Sequence, residues 1–148
     1  MKAKSLLSFI GAVLLACVGR AADLNSISFE ITSQQFEPGD SIIIDEVIAS
    51  SPKLKIGDTV IVRGRYRLKS KTNGSLGFFL TTKGPSGATP VAPHQRQRIE
   101  AGSGTFELKH VIPAEGNLHV SFYPQPSGSS FGGIYFGPSK PGKKAEQG

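Results

Sequence analysis

The sequence predicts an all-β domain, an antiparallel two-sheet sandwich of about eight strands. Three observations predict it. Apolar and polar residues alternate at period two along much of the chain, the pattern of half-buried strands. Gly 18 and Pro 10 together make 28 of the 148 residues, about 19% against about 12% in average usage, which suits short strands joined by many turns. No sustained 3.5–3.6 period is present, which excludes coiled coils and helical repeats.

The amino end has a different character. Lys2 and Lys4 precede a mostly apolar run from Leu6 to Ala16, and Gly19-Arg20-Ala21 follows. A positive start, an apolar stretch of about 7–15 residues and a small-x-small site describe a secretory signal peptide. A bilayer span would need about 20 apolar residues. The expected organisation is therefore a signal segment over 1–21, a β domain over 22–137 and a disordered tail over 138–148. The one cysteine, in Leu14-Leu15-Ala16-Cys17, offers a second reading. There Cys17 would become the lipidated first residue of a membrane-anchored lipoprotein. Leu15 is larger than the residue usual in that box, and Gly19-Arg20-Ala21 competes with it. The expected product is thus secreted or periplasmic. Cleavage after Ala21 removes Lys2, Lys4 and Arg20 but no acid, lowering the formal net charge from +6 to +3.

The elements follow in order. Ile27, Phe29 and Ile31 alternate with polar neighbours, and Ser41 to Ala49 is rich in β-branched residues. Thr59 to Lys69 is the clearest strand. Val60, Val62, Tyr66 and Leu68 share one face, with Arg63, Arg65, Arg67 and Lys69 on the other. Leu76–Thr82, Arg96–Glu100, Thr105–Val111, Asn117–Tyr123 and Phe131–Phe136 complete the set, with the turn spacing of an immunoglobulin-like or jelly-roll domain. Gly39-Asp40 and Gly57-Asp58 each open a strand, glycine supplying φ > 0 and the carboxylate accepting backbone N–H groups. A hairpin is expected at Thr72–Gly74, pairing Leu68 with Phe78. Another is expected at Pro113–Gly116, pairing Leu108 with Val120. The proline-rich stretch 83–93 is read as a loop.

Catalytic chemistry is thin. No Gly-x-Ser-x-Gly elbow is present, and one cysteine excludes a Cys-based zinc site. The expected hairpin turns His110 and His119 to opposite faces, leaving His110 half-buried and His119 solvated. Asp45 and Glu46 are adjacent on a strand and so face opposite sides. One Asp per Gly-Asp turn does not supply the converging oxygens that calcium needs. Glu100 and Glu107 flank Gly102-Ser103-Gly104 and could be neighbours. With His110 they define a remote hydrolase alternative. The expectation is no enzyme, no cofactor and no metal.

The strongest feature outside the core is cationic. Arg63, Arg65, Arg67, Lys69 and Lys71 recur every second residue, about 6.7 Å apart along a strand. Such a row suits an anionic polysaccharide, a lipid headgroup or an envelope protein. It also describes a solvated outer face or an edge protected by charge. Nucleic acid is not expected, because no aromatics are interleaved for base stacking. A second feature is the aromatic stretch Phe122, Tyr123, Phe131, Tyr135 and Phe136. It is read as packing of the closing strand, since sugar stacking is weakened by the lack of Trp.

The segment 38–137 resembles a small immunoglobulin-like module of exported bacterial proteins. The resemblance rests on Gly39-Asp40-Ser41-Ile42, on Val62-Arg-Gly-Arg-Tyr66-Arg-Leu68 and on the closing His119-Val-Ser-Phe-Tyr-Pro124 with Ser130-Phe-Gly-Gly-Ile-Tyr-Phe-Gly137. It implies an exported β module, found also on larger membrane-linked regulatory proteins, and it brings no catalytic residues. The expected function is a binding module at the cell envelope, or alternatively an assembly subunit pairing through sheet edges.

Overall fold

The computed structural model describes residues 23–84 and 90–140. The expected signal segment with Cys17, residues 85–89 of the expected loop and 141–148 of the expected tail lie outside the described residues, whereas Pro138, expected in the tail, ends the last strand. Seven strands form one antiparallel sheet: β1 (Asn25–Ile27), β2 (Phe29–Phe36), β3 (Ser41–Ala49), β4 (Thr59–Thr82), β5 (Arg96–Val111), β6 (Gly116–Tyr123) and β7 (Gly132–Pro138). The order is β1-β3-β4-β6-β7-β2, with β5 on β4. No helix among the described residues is long and apolar enough to cross a membrane.

The fold is all-β and antiparallel, as expected, but its organising element is a bent ribbon. β5 pairs along nearly its whole length with the stretch of β4 from Thr59 to Gly77, and the register breaks once, between Leu68↔Gly102 and Asn73↔Glu100. That break separates two arms. In the first, Thr59–Leu68 lies between β3 and the second half of β5. In the second, Ser75–Thr82 lies beside β6, which carries β7 and then β2. β1 pairs with β3 and β2 with β7, and only Ser28 separates them, so the amino-terminal stretch crosses between the arms on the far side. The sheet is thereby nearly closed and barrel-like. A strand that changes layers through a bend is the usual way to turn a sheet corner.

Both expected hairpins are overturned. Asn73-Gly74 is no turn: Gly74 is buried within β4. A Cβ there would sit 3.0 Å from the Tyr123 carbonyl oxygen, so this glycine serves close approach of β6, not a left-handed turn. Leu68 therefore faces Gly102, and Phe78 faces Val120. At Pro113–Gly116 the chain passes from one arm to the other. The ribbon runs past Val111, with Ile112 N–H donating to Asp58 O and Gly57 N–H to Ile112 O, both 2.9 Å. Leu108 is thus spoken for by Val62, and no β5–β6 hairpin forms. The period-2 pattern is unaffected by these topological differences. Val60, Val62 and Leu68 are buried, Tyr66 is half-buried, and Arg63, Arg65, Arg67 and Lys69 are exposed.

The core fills the space between the arms. Phe78, Phe122, Leu76, Leu108 and Val120 are fully enclosed, and Phe29, Phe36 and Phe131 close over them. Full burial of each such side chain stabilises the fold by about 1.5–3 kcal/mol. Ahead of β5, a single 3₁₀ turn at Pro93–Gln95 buries Gln95. Its amide accepts from Ala92 N–H and donates to Phe78 O, each at 3.0 Å.

Both Gly-Asp turns have the predicted glycine geometry, with φ of +87° at Gly39 and +89° at Gly57. The carboxylates reach further than expected. Asp40 accepts Lys69 N–H at 2.7 Å and Ser70 N–H at 2.9 Å, together with the Ser70 hydroxyl. These groups sit where the β4 ladder is interrupted. Burial alone would raise the Asp40 pKa, but the Ser70 hydroxyl, the two N–H groups and nearby Lys71 outweigh it and hold it below the ordinary value. Asp40→Ala would orphan two N–H groups and a hydroxyl and should cost about 2–4 kcal/mol in urea denaturation. Asp40→Asn keeps one acceptor oxygen and should cost about half as much. An unchanged midpoint for Asp40→Ala would refute the role of the bend.

Candidate binding surfaces

β4 places Arg63, Arg65 and Arg67 of the predicted cationic row on the outer face of the first arm and Lys69 and Lys71 at the bend, and its neighbours divide the row in two. Arg63 lies opposite Glu46 on β3 and Glu107 on β5. Its Nε donates to Glu107 at 2.6 Å and its Nη1 to Glu46 at 3.4 Å. Arg65 donates twice to Asp45, at 2.9 and 3.0 Å. Asp45 and Glu46 do not face opposite sides, as strict alternation required. A bulge between Ile44 and Glu46 lets both carboxylates reach the outer face. The Glu107 hydrogen bond and charge, with Glu46, raise the Arg63 pKa further, and Asp45 does the same for Arg65.

The rest of the row is in no ion pair among the described residues, although Asp40 lies near Lys71. Arg67 lies between Ser41 and Ser103. The Lys69 stem lies over Gly39. Lys71 sits in the bend, with its ammonium 5.3 Å from the Phe131 ring centroid, a cation–π contact. All three are exposed. The cations outside ion pairs therefore gather at the bent end of the ribbon.

A second surface lies on the outer face of the other arm, and the sequence reading missed it. β6 turns Leu118, Val120 and Phe122 inward and His119, Ser121 and Tyr123 outward, while β7 turns Ile134 and Phe136 inward and Tyr135 outward. His119 is only 7% exposed, so the expectation of a solvated ring is corrected. Its imidazole stacks on Tyr135 with centroids 4.8 Å apart, and its Nδ1 is 2.7 Å from Ser121 Oγ. Phe79 meets Tyr123 edge-on at 5.5 Å, and the Arg96 guanidinium covers both rings at 5.5 and 5.1 Å. The expected packing role holds for Phe122, Phe131 and Phe136. Tyr123 and Tyr135 belong instead to this outer cluster. The alternation of Tyr123 and Tyr135 against Phe122 and Phe136 was the signal available.

The residues of the hydrolase alternative are not brought together. Glu100 and Glu107 do not flank a turn: they lie seven positions apart along β5, opposite Asn73 and Arg63. His110 faces inward, its ring 5.6 Å from Phe78, and is half-buried as expected. Among the described residues, no group of three or more His, Cys, Asp or Glu could hold a metal ion. Comparison of the chain with known family models, with curated proteins and with solved structures finds no match.

Burial lowers the pKa of both His110 and His119. The unfolded chain then binds more protons than the folded one as pH falls below about 6.5. Stability should accordingly be level above neutrality and decline from about pH 6.5 downward. The decline should be shallower in His119→Gln. Urea midpoints measured between pH 8 and 5 test this, and a profile flat across that range would refute it.

Proposed function

We propose that this chain is an exported, non-enzymatic binding module of the cell envelope, and that it holds an anionic polysaccharide through the cationic strand face. One observation carries the reading: Arg67, Lys69 and Lys71 form an exposed group that continues the row of Arg63 and Arg65 and is in no ion pair among the described residues, with the Asp40 carboxylate near Lys71. Side chains that recur about every 6.7 Å along one strand suit a linear polyanion better than a flat surface. Phosphate, sulfate or carboxylate groups on such a polymer would accept charge-assisted hydrogen bonds from this group. Arg63 and Arg65, already paired, set the polarity of the face and add little net charge. In this reading the two arms of the ribbon serve as the two layers of an immunoglobulin-like or jelly-roll sandwich, and the signal segment directs the domain out of the cell.

The second reading, an assembly subunit, draws on β5. This strand pairs with β4 alone, leaving one edge of sixteen residues without a strand partner among the described residues. Concentration-dependent mass in light scattering would favour it.

The first reading predicts binding to anionic glycans on an array that weakens at least tenfold between low and physiological salt. The triple variant Arg67→Glu, Lys69→Glu, Lys71→Glu should abolish it. Arg63→Gln with Arg65→Gln should change it less than threefold. Salt-insensitive binding, or preference for anionic vesicles over every glycan, would overturn the polysaccharide assignment.

A further inference from the structure

The end of the fold opposite the bend is open. Thr82 pairs with Gly116 there and Thr59 with Val111, whereas Ser75 and Tyr123 lie at the bent end. Between the loop 50–58, the loop 112–115 and the ends of β4 and β7 lies a cleft of about 910 Å³. This is within the range of about 300–1,000 Å³ usual for small-molecule sites, which favour the mouths of β-barrels.

An apolar strip runs from the floor of the cleft to its lip, among polar and charged neighbours. Its floor is Ile112, Leu118 and Phe136, all members of the buried core. Leu54 and Leu80 form half-buried walls, and Ile56, at the lip, is 60% exposed. Leu54 has φ of +51°, a left-handed conformation that a branched side chain adopts at a cost. The loop enforces it. Asp58 accepts Lys55 N–H at 2.7 Å and the Ser50 hydroxyl at 3.0 Å, and Gly57 N–H is tied to Ile112 O. The hydrogen bonds of the loop thus hold two large apolar residues around an opening rather than inside a core.

Charge at the rim is asymmetric. Lys55, Lys83 and Lys140 border the cleft against Glu30 and Glu115. Among the described residues none of these lysines is in an ion pair. An apolar slot under a lysine-rich rim is complementary to a molecule with a hydrocarbon tail and an anionic head.

We infer that this cleft is a binding site for a single-chain amphiphile with a carboxylate head, that is, a free fatty acid, with the tail on Leu80, Leu118 and Phe136 and the head at Lys55 and Lys83. The site is remote from the cationic row and does not rest on the polysaccharide reading. Dodecanoate, 1-dodecanol and dodecyltrimethylammonium, each below its micelle concentration, can be titrated into the full chain by calorimetry. Dodecanoate should bind saturably with one-to-one stoichiometry, more tightly than the alcohol, and the cation should bind weakest. Lys55→Glu with Lys83→Glu should weaken dodecanoate at least tenfold and leave dodecanol within twofold. Ile56→Asp, an exposed position whose change spares the core, should weaken dodecanoate and dodecanol alike. Circular dichroism would confirm that each variant is folded. No saturable dodecanoate binding, equal binding of the cationic amphiphile, or binding that survives Ile56→Asp would overturn the proposal.

Discussion

A strand can belong to two arms only if its backbone survives the passage between them. Between Leu68 and Asn73 the ladder of β4 stops, and the N–H groups of Lys69 and Ser70 have no strand to receive them. The carboxylate of Asp40 receives both, and the Ser70 hydroxyl as well. An acceptor-only group with two oxygens suits this place, because a neutral side chain would leave a donor unmatched. Asp58 does comparable work at the other end of the ribbon, fixing the loop that leads into β4. The two Gly-Asp turns therefore start strands and also clamp the bent and open ends of the same ribbon. Everything enclosed between the arms depends on that angle being held.

The bend also fixes the electrostatics. Because the first half of β4 lies between β3 and β5, each outward arginine meets whatever those strands present at the same level. Glu46, Asp45 and Glu107 happen to fall beside Arg63 and Arg65, whereas Ser41 and Ser103 fall beside Arg67. Exposed ion pairs of this kind contribute little to stability. Their effect is to leave the cations outside ion pairs at the bent end, where Asp40 is the nearby carboxylate. A sequence shows charge as a property of one strand, but in the sheet it is a property of three.

Residue faces were legible in the sequence; partnerships were not. Alternation located Val60, Val62 and Leu68 inside and the arginines outside, since side-chain direction along a strand is a local matter. Pairing is not local. Asn73-Gly74 has the composition of a hairpin tip, but Gly74 owes its place to the nearby Tyr123 carbonyl, a contact forty-nine residues away that no local rule reveals. The same ambiguity hid His119. Its alternation with Leu118 and Val120 correctly turned it away from the core. Its burial came from Tyr135 and Phe79, brought alongside by strands whose order was unknown. The bulge at Asp45 defeated strict alternation for a different reason, because one inserted residue resets the faces on one strand only.

The two halves of the open end show what a closed fold requires. Where the folded ribbon brings Phe78 near His110, the Gln95 amide fills the gap. It satisfies Ala92 and Phe78 and lies 3.5 Å from the His110 ring. That side is sealed by polar groups that each find a partner. On the neighbouring side Leu54 and Leu80 stand over a floor of Leu118 and Phe136, an apolar strip with nothing to offer water, and the charged groups lie at its rim. Water in an apolar recess lacks the two to four polar partners that hold it in place. A recess so lined gains most from hydrocarbon, and the surrounding lysines decide which end of a hydrocarbon chain would face outward. Sealing and opening at one end of the same barrel thus follow from a single difference, whether the side chains that meet there can hydrogen-bond.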